Sequence, residues 1–200
     1  RDNEVDAYRN MVKQFGKPND ATAPHFFTAA NFLSYSNNLR LIRVVGTGAA
    51  NATDSGSSDL LVQNEDDWSV NYVNGSANEF GPFAAKFPGT LGNSISVSMA
   101  DANTYSSWAY KDYFTGAPGT SSYAAGLGQT SYDELHIVVI DTNGWISGEQ
   151  GTVLETFGFI SKASDARSSD GTNLYYKEVL KNSKYVWWMD HIGTGSPCSL

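Results

Sequence analysis

The sequence predicts an α/β fold with α+β character, in which helices pack against a mixed β-sheet. Two short, nearly continuous apolar runs, 39–45 and 135–140, are typical of buried strands. Segment 94–99 alternates apolar residues with serines, which predicts a strand with one polar face. In segment 3–15 the apolar residues recur every three or four positions, as they do along one face of a helix.

The first 48 residues are predicted to form a helix, a second helix and a strand. The apolar face of helix 3–15 consists of Val5, Tyr8, Val12 and Phe15. Gly16 and Pro18 end this helix, since glycine followed by proline is a common helix terminator. The second helix runs over 23–35 with Pro24 in its first turn, and strand 39–45 follows as a mostly buried strand.

The middle of the chain is rich in small residues. Residues 46–58 are mostly Gly, Ala, Ser and Thr, which predicts a flexible connection and an internal boundary. Short strands are predicted at 59–62 and 68–73. We expect 49–85 to be a linker or the remnant of an inserted domain, followed by a rigid turn at 87–93.

The last part of the chain is predicted to hold the centre of the sheet. Strand 135–140 is followed by a turn containing Asn143-Gly144, which favours a hairpin with an antiparallel partner at 152–160. A helix at 173–182 covers one face of the sheet, a last strand spans 185–189, and 193–200 is a loose tail. One core is predicted to contain Leu135, Ile137, Val139, Phe157 and Phe159.

Composition narrows the classes of function. The net charge is −8, which argues against nucleic acid or an anionic membrane as the main partner, because both attract basic surfaces. Only 17% of the residues are charged, below the roughly 25% of average domains. No apolar run approaches the ~20 residues of a membrane-spanning helix. The first residue, Arg1, predicts a piece of a longer protein, and the single cysteine, Cys198, predicts a reducing compartment.

Several motifs suggest chemistry, but each has a simpler structural explanation. Gly46-x-Gly48 follows a strand as a nucleotide-binding loop would, yet Asn51 occupies the third small position and no helix is expected next. Asp141 ends the central strand, where it fits a turn better than a metal site. Asp190 and His191 are adjacent, so in an extended segment their side chains point apart.

The remaining candidates are no stronger. The histidines lack metal-ligand spacing, and Cys198 has no evident base. Two tryptophans, Trp187 and Trp188, could stack on sugars, but at strand spacing one is expected in the core and the other at an interface. We therefore predict no catalytic, cofactor-binding or metal-binding residues, no cofactor, and no enzyme activity. The remaining residues of note are His25, His136 and the formal glycosylation sequons at Asn51 and Asn74.

Three blocks of the chain together resemble the tail sheath proteins of contractile-tailed phages. The first combines Phe15-Gly-Lys-Pro-Asn19, residues 26–35 (FFTAANFLSY) and the strand 39–45 (LRLIRVV). The second is the turn 87–93 (FPGTLGN), and the third is the hairpin 134–160 with the helix and strand after it. The likeness is closest to T-even-like phages, including relatives that infect cyanobacteria.

The resemblance implies the core domain of a sheath subunit with a shortened insertion. It divides the chain into an N-terminal part of the sheath core at 1–48, the reduced insertion at 49–85, an α/β sheath domain at 86–192 and the tail at 193–200. It implies subunits that stack as hexameric rings around the tail tube and contract to drive genome delivery. The implied partners are other copies of the chain, the tail tube protein, and baseplate and tail terminator proteins. The implied location is the virion, after assembly in the host cytoplasm.

Two other classes of function stay open on the sequence alone. A related possibility is the sheath of another contractile injection machine. A different class is a secreted carbohydrate-binding module that uses its tryptophans and tyrosines. A nucleotide-using enzyme would require Gly46 and Gly48 to hold a phosphate.

Overall fold

The computed structural model describes residues 2–5, 8–56, 59–73 and 79–191. The predicted tail at 193–200, with Cys198, and the sequon at Asn74 lie outside these residues. The helices are α1 (Tyr8–Phe15), α2 (Ala23–Leu33), α3 (Glu65–Asn71), α4 (Ser122–Gly126) and α5 (Tyr176–Leu180). The strands are β1 (Asp2–Val5), β2 (Leu39–Ile42), β3 (Asn51–Thr53), β4 (Phe83–Pro88), β5 (Ile95–Ala100), β6 (Glu134–Asp141), β7 (Thr152–Ser161) and β8 (Val186–Trp188).

The predicted class, helices combined with β-sheet, is confirmed, but a single mixed sheet is wrong. The described strands form three antiparallel sheets, ordered β1-β2, β3-β4-β8 and β5-β6-β7. The hairpin between β6 and β7 accounts for the antiparallel pairing of these two strands. The short turn with the 3-10 helix Thr90–Ser94 instead carries the chain from β4 in one sheet to β5 in the other.

Strand β6 is central, as its apolar run predicts. It pairs with β5 on one side and with β7 on the other, and it is buried at every position from Leu135 to Asp141. Its odd-numbered residues face the main core, and Val138 and Ile140 face a second cluster with Trp108. A strand that is buried on both faces has an almost uninterrupted run of hydrophobic residues. This explains why the apolar run at 135–140 was sufficient to identify the strand.

The main core joins the two three-stranded sheets. Phe83, Val186 and Trp188 from one sheet pack in the same cluster as Val97, Ile137 and Val139 from the other. Of the predicted core set, Leu135, Ile137 and Val139 are buried there and Phe157 packs against them. Phe159 is not in this cluster: it contacts the ring of His136 on the opposite face of β6. A β-bulge between Leu135 and Ile137 changes the register at this point and explains the difference.

The N-terminal unit, residues 8–44 together with β1, differs most from its prediction. Residues 2–5 pair with β2 as a strand, so the predicted helix 3–15 begins only at Tyr8. Helix α1 ends at Gly16 as predicted, and the φ of +75° at Gly16 explains why glycine is used there. Strand β2 is not mostly buried: Arg40 and Ile42 are exposed and alternate with the partly buried Leu39 and Leu41.

Residues 49–85 contribute to the main core. Asn51–Thr53 lies in the stretch that was expected to be flexible, yet it pairs with β4. Further along the chain, Leu60, Val62 and Trp68 are buried in the main core. The predicted strand at 68–73 is wrong because 65–71 is helix α3, and no strand forms at 59–62. The side chain of Asn64 caps this helix by accepting a hydrogen bond from the N–H of Asp67 at 2.8 Å. The division of the chain at residues 48 and 85 stays a prediction.

Close backbone packing explains the second glycine of the turn 87–93. A Cβ added to Gly92 would lie 2.4 Å from the carbonyl oxygen of Phe87 and 3.2 Å from the Cβ of Ala85. Only glycine allows the chain to fold back this tightly between β4 and β5. The rigid turn predicted here is confirmed as a 3-10 helix, Thr90–Ser94.

The remaining predicted elements agree in type and are mostly shorter. The second helix ends at Leu33 rather than 35, and the helix predicted at 173–182 is limited to Tyr176–Leu180. The last strand spans Val186–Trp188 and pairs with β4. Segment 101–131 contains two 3-10 turns, Tyr105–Ser107 and Lys111–Tyr113, and the helix α4.

Truncating the centre of β6 tests this arrangement. Ile137→Ala should lower the free energy of unfolding by about 2–5 kcal/mol, because it removes a fully buried side chain from a packed core. The matched control is Ile42→Ala, whose side chain is 71% exposed and should cost less than about 0.5 kcal/mol. Urea denaturation of both variants measures the difference. A loss below about 1 kcal/mol for Ile137→Ala would contradict the central placement of β6.

Candidate functional sites

Asp141 is a buried carboxylate that organises the turn between β6 and β7. It accepts hydrogen bonds from the backbone N–H groups of Trp145 (3.1 Å), Ile146 (2.9 Å) and Ser147 (2.6 Å). The hydroxyl of Ser147 donates a fourth bond at 2.7 Å, and the hydroxyl of Ser94 donates a fifth. Both oxygens therefore serve the turn, which agrees with the structural explanation of this residue.

The same hydrogen bonds explain the acidity of Asp141. Burial alone would raise the pKa of the carboxyl, but the bonds from Ser147, Ser94 and Ile146 outweigh it and hold the pKa below its ordinary value. The charged form is thus the one that the folded turn stabilises.

A second buried carboxylate, Asp133, precedes β6 and was missed in the sequence. Its oxygens accept bonds from the N–H of Ser121, at 2.8 Å, and from the hydroxyl of Ser161. Burial alone would raise its pKa, but these bonds hold the pKa below the ordinary value. Asp133 thereby ties the start of α4 to the end of β7. Its partners are 12 and 28 residues away, so no local motif indicates the role.

His136 lies in an aromatic cluster on the second face of β6. Its Nδ1 accepts a hydrogen bond from the N–H of Phe159 at 3.0 Å, and its Nε2 donates to the carbonyl of Gly116 at 2.9 Å. The ring stacks on Phe114 with 4.1 Å between the ring centroids. Burial lowers the pKa of His136 from its ordinary value. The hydrogen bond that Nδ1 accepts from Phe159 requires the neutral ring, because a protonated Nδ1 has no lone pair to accept it. This histidine joins segment 101–118 to the sheet.

The adjacent Asp190 and His191 are not an acid–base pair. The carboxylate of Asp190 accepts from the backbone N–H of His191 at 2.6 Å, and the ring Nδ1 of His191 lies 2.7 Å from the hydroxyl of Tyr176. The two side chains therefore have separate partners, as their adjacent positions in the chain predict.

Both tryptophans of the last strand are buried, so the expectation that one of them lies at an interface is wrong for this chain by itself. Trp187 stacks on Trp68 at 5.2 Å between ring centroids, and the indole N–H of Trp68 donates to the carbonyl of Trp188 at 2.7 Å. Neither ring is available to stack on a sugar, because helix α3 and the main core cover them.

The glycine pair 46 and 48 does not form a phosphate-binding loop. The residues after it form strand β3 rather than a helix with free N–H groups. Asn51, at the third position, is buried, and its amide donates to the carbonyl of Ala85 at 2.7 Å. The same burial removes Asn51 from the surface as a modification site.

Among the residues that the structure describes, no group of three or more His, Cys, Asp or Glu side chains is placed to hold a metal ion. No helix in this part of the chain has the length and apolar character needed to cross a membrane.

Two surface features stand out instead. The first is the exposed aromatic and aliphatic surface of the N-terminal unit, where Tyr35 is 92% and Val44 88% exposed. Its other members are Tyr8, Phe27, Phe32 and Ile42. Because six large apolar side chains of one small unit are exposed, this unit is a candidate for contacts with other molecules.

The second feature is a cleft of about 700 Å³ between the N-terminal unit and the main core. Its charged lining consists of Arg43, Lys86, Lys184 and Glu155. The Nη2 of Arg43 donates to the carbonyl of Pro88 at 2.7 Å, and the Nζ of Lys86 lies 3.9 Å above the ring of Trp187. Burial lowers the pKa of Arg43, but a guanidinium stays charged at neutral pH.

Among the described residues, the buried polar side chains Asp133, Asp141 and His136 hold turns and segments together. The comparisons with known proteins point to one class of structural protein. No family model matches the chain. Its curated relatives are phage tail sheath proteins. The one from Salmonella phage ViI is 33% identical over 143 residues, which are 72% of this chain and 20% of that protein.

Shorter stretches are more similar. The tail sheath protein of Vibrio phage KVP40 is 51% identical over 51 residues, 25% of this chain and 8% of that protein. The tail sheath protein of Enterobacteria phage T4 is 46% identical over 48 residues, 24% of this chain and 7% of that protein. The resemblance seen in the motifs is confirmed: the chain is a homologue of phage tail sheath proteins. The matched part spans about a fifth of the length of the Salmonella phage ViI protein.

Removing the charge of Asp141 should destabilise the turn. Asp141→Asn should lower the free energy of unfolding at pH 7 by about 1.5–3 kcal/mol, because it weakens bonds to a charged acceptor. The folded pKa lies below the ordinary 3.8, so this stabilisation is complete above about pH 4 and is lost as the pH falls through the folded pKa. The variant should therefore lose less stability than the wild type between pH 5 and pH 2.

Chemical denaturation over that pH range measures both effects. Asp112→Asn, at an exposed position, serves as the charge-matched control and should behave like the wild type. Equal acid sensitivity of wild type and Asp141→Asn would contradict the assigned role.

Because His136 is neutral in the folded protein, we predict a second change of folding stability with pH, at a higher pH than the change due to Asp141. Because the folded pKa is lowered, an unfolded chain takes up a proton below about pH 6.5 that the folded chain does not bind. Stability should therefore fall by about 1 kcal/mol between pH 7 and pH 5. His136→Gln should lack this component, whereas His25→Gln, at an exposed position, should retain it. Loss of the component in His25→Gln instead would disprove the assignment.

Proposed function

We propose that this chain is part of a structural subunit of a contractile phage tail sheath. The observation that carries the proposal is the 143-residue similarity to the tail sheath protein of Salmonella phage ViI. In this proposal the subunits polymerise around the tail tube and contract to drive genome delivery into the host. The energy of contraction comes from the difference between two packings of the same subunits rather than from a chemical reaction.

The arrangement of polar groups supports a mechanical rather than a catalytic role. Asp133, Asp141 and His136 are buried titratable side chains, and each of them holds turns or segments together. A subunit that passes force to its neighbours must keep its own fold while the contacts between subunits change. Buried charge-assisted hydrogen bonds at both ends of β6 supply that internal rigidity.

The exposed apolar surface of the N-terminal unit supports contacts with other subunits. Tyr35, Ile42 and Val44 lie on the outside of a unit that has its own small core around Met11, Phe26 and Ala29. The proposed partners are further copies of the chain, in hexameric rings stacked helically, with the tail tube, baseplate and tail terminator proteins. The proposed location is the virion, with assembly in the host cytoplasm.

Residues 49–85 take the place of the large outward domain of the T-even sheath family in this proposal. They supply β3 and α3 and cover the main core with Leu60, Val62 and Trp68. A short insertion that packs on the core leaves a smoother subunit surface than a protruding domain would. Residues 1–48 and 86–192 then correspond to the two parts of the sheath core.

Assembly distinguishes the isolated chain from the complete protein. The 200-residue chain should be monomeric or weakly self-associating at about 10 μM, because small polar contacts rarely hold at that concentration. The complete protein should form long tubes, since sheath subunits are linked by terminal arms that add strands to a neighbour's sheet. Light scattering and negative-stain microscopy of both proteins measure this. If the 200-residue chain formed hexameric rings or tubes by itself, this result would contradict the proposal that terminal arms link the subunits.

Antibodies against the chain test the location directly. Gold-labelled antibodies raised against residues 1–200 should bind to the outside of intact phage tails along their length. Antibodies against an unrelated acidic protein serve as the control. Labelling of the capsid alone, or no labelling of phage particles, would refute the sheath role.

A further inference from the structure

The cleft between the N-terminal unit and the main core has a charge opposite to that of the chain. Three cationic side chains line it, Arg43, Lys86 and Lys184, against one carboxylate, Glu155. The oxygens of Glu155 accept bonds from the hydroxyl of Ser183, at 2.7 Å, and from the backbone N–H of Lys184, at 2.9 Å. The cleft is therefore a basic site on a protein whose net charge is −8.

The rest of the lining suits a peptide segment. Apolar side chains of Phe15, Val45, Leu61, Pro88 and Leu154 surround the charges. A volume of about 700 Å³ admits one turn of a helix with a few side chains. A basic cleft with apolar walls favours a segment that presents carboxylates next to an apolar residue.

This chain carries such a segment in the first turn of helix α3. Glu65, Asp66 and Asp67 are consecutive carboxylates, and the first two are exposed. Val70 lies one helical turn after Asp66, on the same face, and is 75% exposed. These residues combine the charge and the apolar contact that the cleft favours.

The position of this acidic turn makes the surface complementary to itself. Gln63 and Asn64 line the cleft, and Asn64 is also the N-cap of α3, so the acidic turn begins at the edge of the cleft. When a patch and its complement are neighbours on one surface, a two-fold axis between two copies places each against the other.

We propose that the cleft binds the first turn of α3 from a second copy of this chain, in a reciprocal pair. Arg43 and Lys184 contact Glu65 and Asp66 of the second copy, and Val70 packs on the apolar wall. The pairing rests on charge, so it weakens as salt screens the contacts. A reciprocal pair is closed by its two-fold axis, whereas the stacked rings of the proposed sheath need contacts that repeat head to tail, so the variants below test the pair separately from the sheath role.

Sedimentation velocity of the 200-residue chain tests the pairing. In about 50 mM NaCl, the wild-type chain should form dimers at protein concentrations below about 1 mM. When the NaCl concentration is raised to about 500 mM, the association constant should fall about tenfold or more. The variant Arg43→Glu/Lys184→Glu should remain monomeric under these conditions, and so should Glu65→Lys/Asp66→Lys. The control Lys111→Glu/Lys162→Glu makes the same change of net charge at exposed positions outside the cleft and should dimerise more strongly than the cleft variant.

A mixture of the two monomeric variants gives the decisive result. In a mixed pair the acidic cleft meets the basic turn and the basic cleft meets the acidic turn, so both contacts are restored and a heterodimer should form. Circular dichroism confirms that each variant is folded. A wild-type chain that stays monomeric at low salt overturns the proposal. A mixture that stays monomeric, or a control pair that loses association as fully as the cleft variant, overturns it too.

Discussion

Strand β6 is buried on both faces, and the remaining elements are arranged to cover it. One face contributes Ile137 and Val139 to the core shared by the two three-stranded sheets. The other contributes Val138 and Ile140 to the cluster under segment 101–118. Since each fully buried aliphatic side chain contributes roughly 1.5–3 kcal/mol, neither cover can be removed without exposing a large part of the stabilising surface.

Polar side chains at both ends and in the middle of β6 bind the segments that pack on this strand. Asp133 and Asp141 hold α4 and the hairpin turn through hydrogen bonds to charged oxygens. His136 bonds to Gly116 of segment 101–118 through Nε2 and to Phe159 of β7 through Nδ1. Residue types that carry catalysis in enzymes are used here to fix segments that have little regular structure of their own. Fully satisfied polar networks of this kind make such segments rigid.

The N-terminal unit follows a different physical rule. Its core around Met11, Phe26 and Ala29 is small, and every second residue of β2 is exposed. Tyr35 and Val44 are also exposed. The cleft beside this unit is lined by three cationic side chains, although the net charge of the chain is −8. The pairing proposed above would use this boundary between the N-terminal unit and the main core.

Local sequence determined the elements whose stability is local or uniformly hydrophobic: helix α2, the end of α1 at Gly16, the β6-β7 hairpin and the turn 87–93. The match of sequence blocks also identified the relatives. Tertiary contacts decided the rest. Residues 2–5 become a strand because β2 offers an unpaired edge. Phe159 crosses to the face of His136 because a bulge shifts the register. Asp133 holds together segments that are distant in the chain, such as the end of β7 through Ser161. The pattern of hydrophobic residues does not predict such a contact, because the two residues meet only when the chain folds.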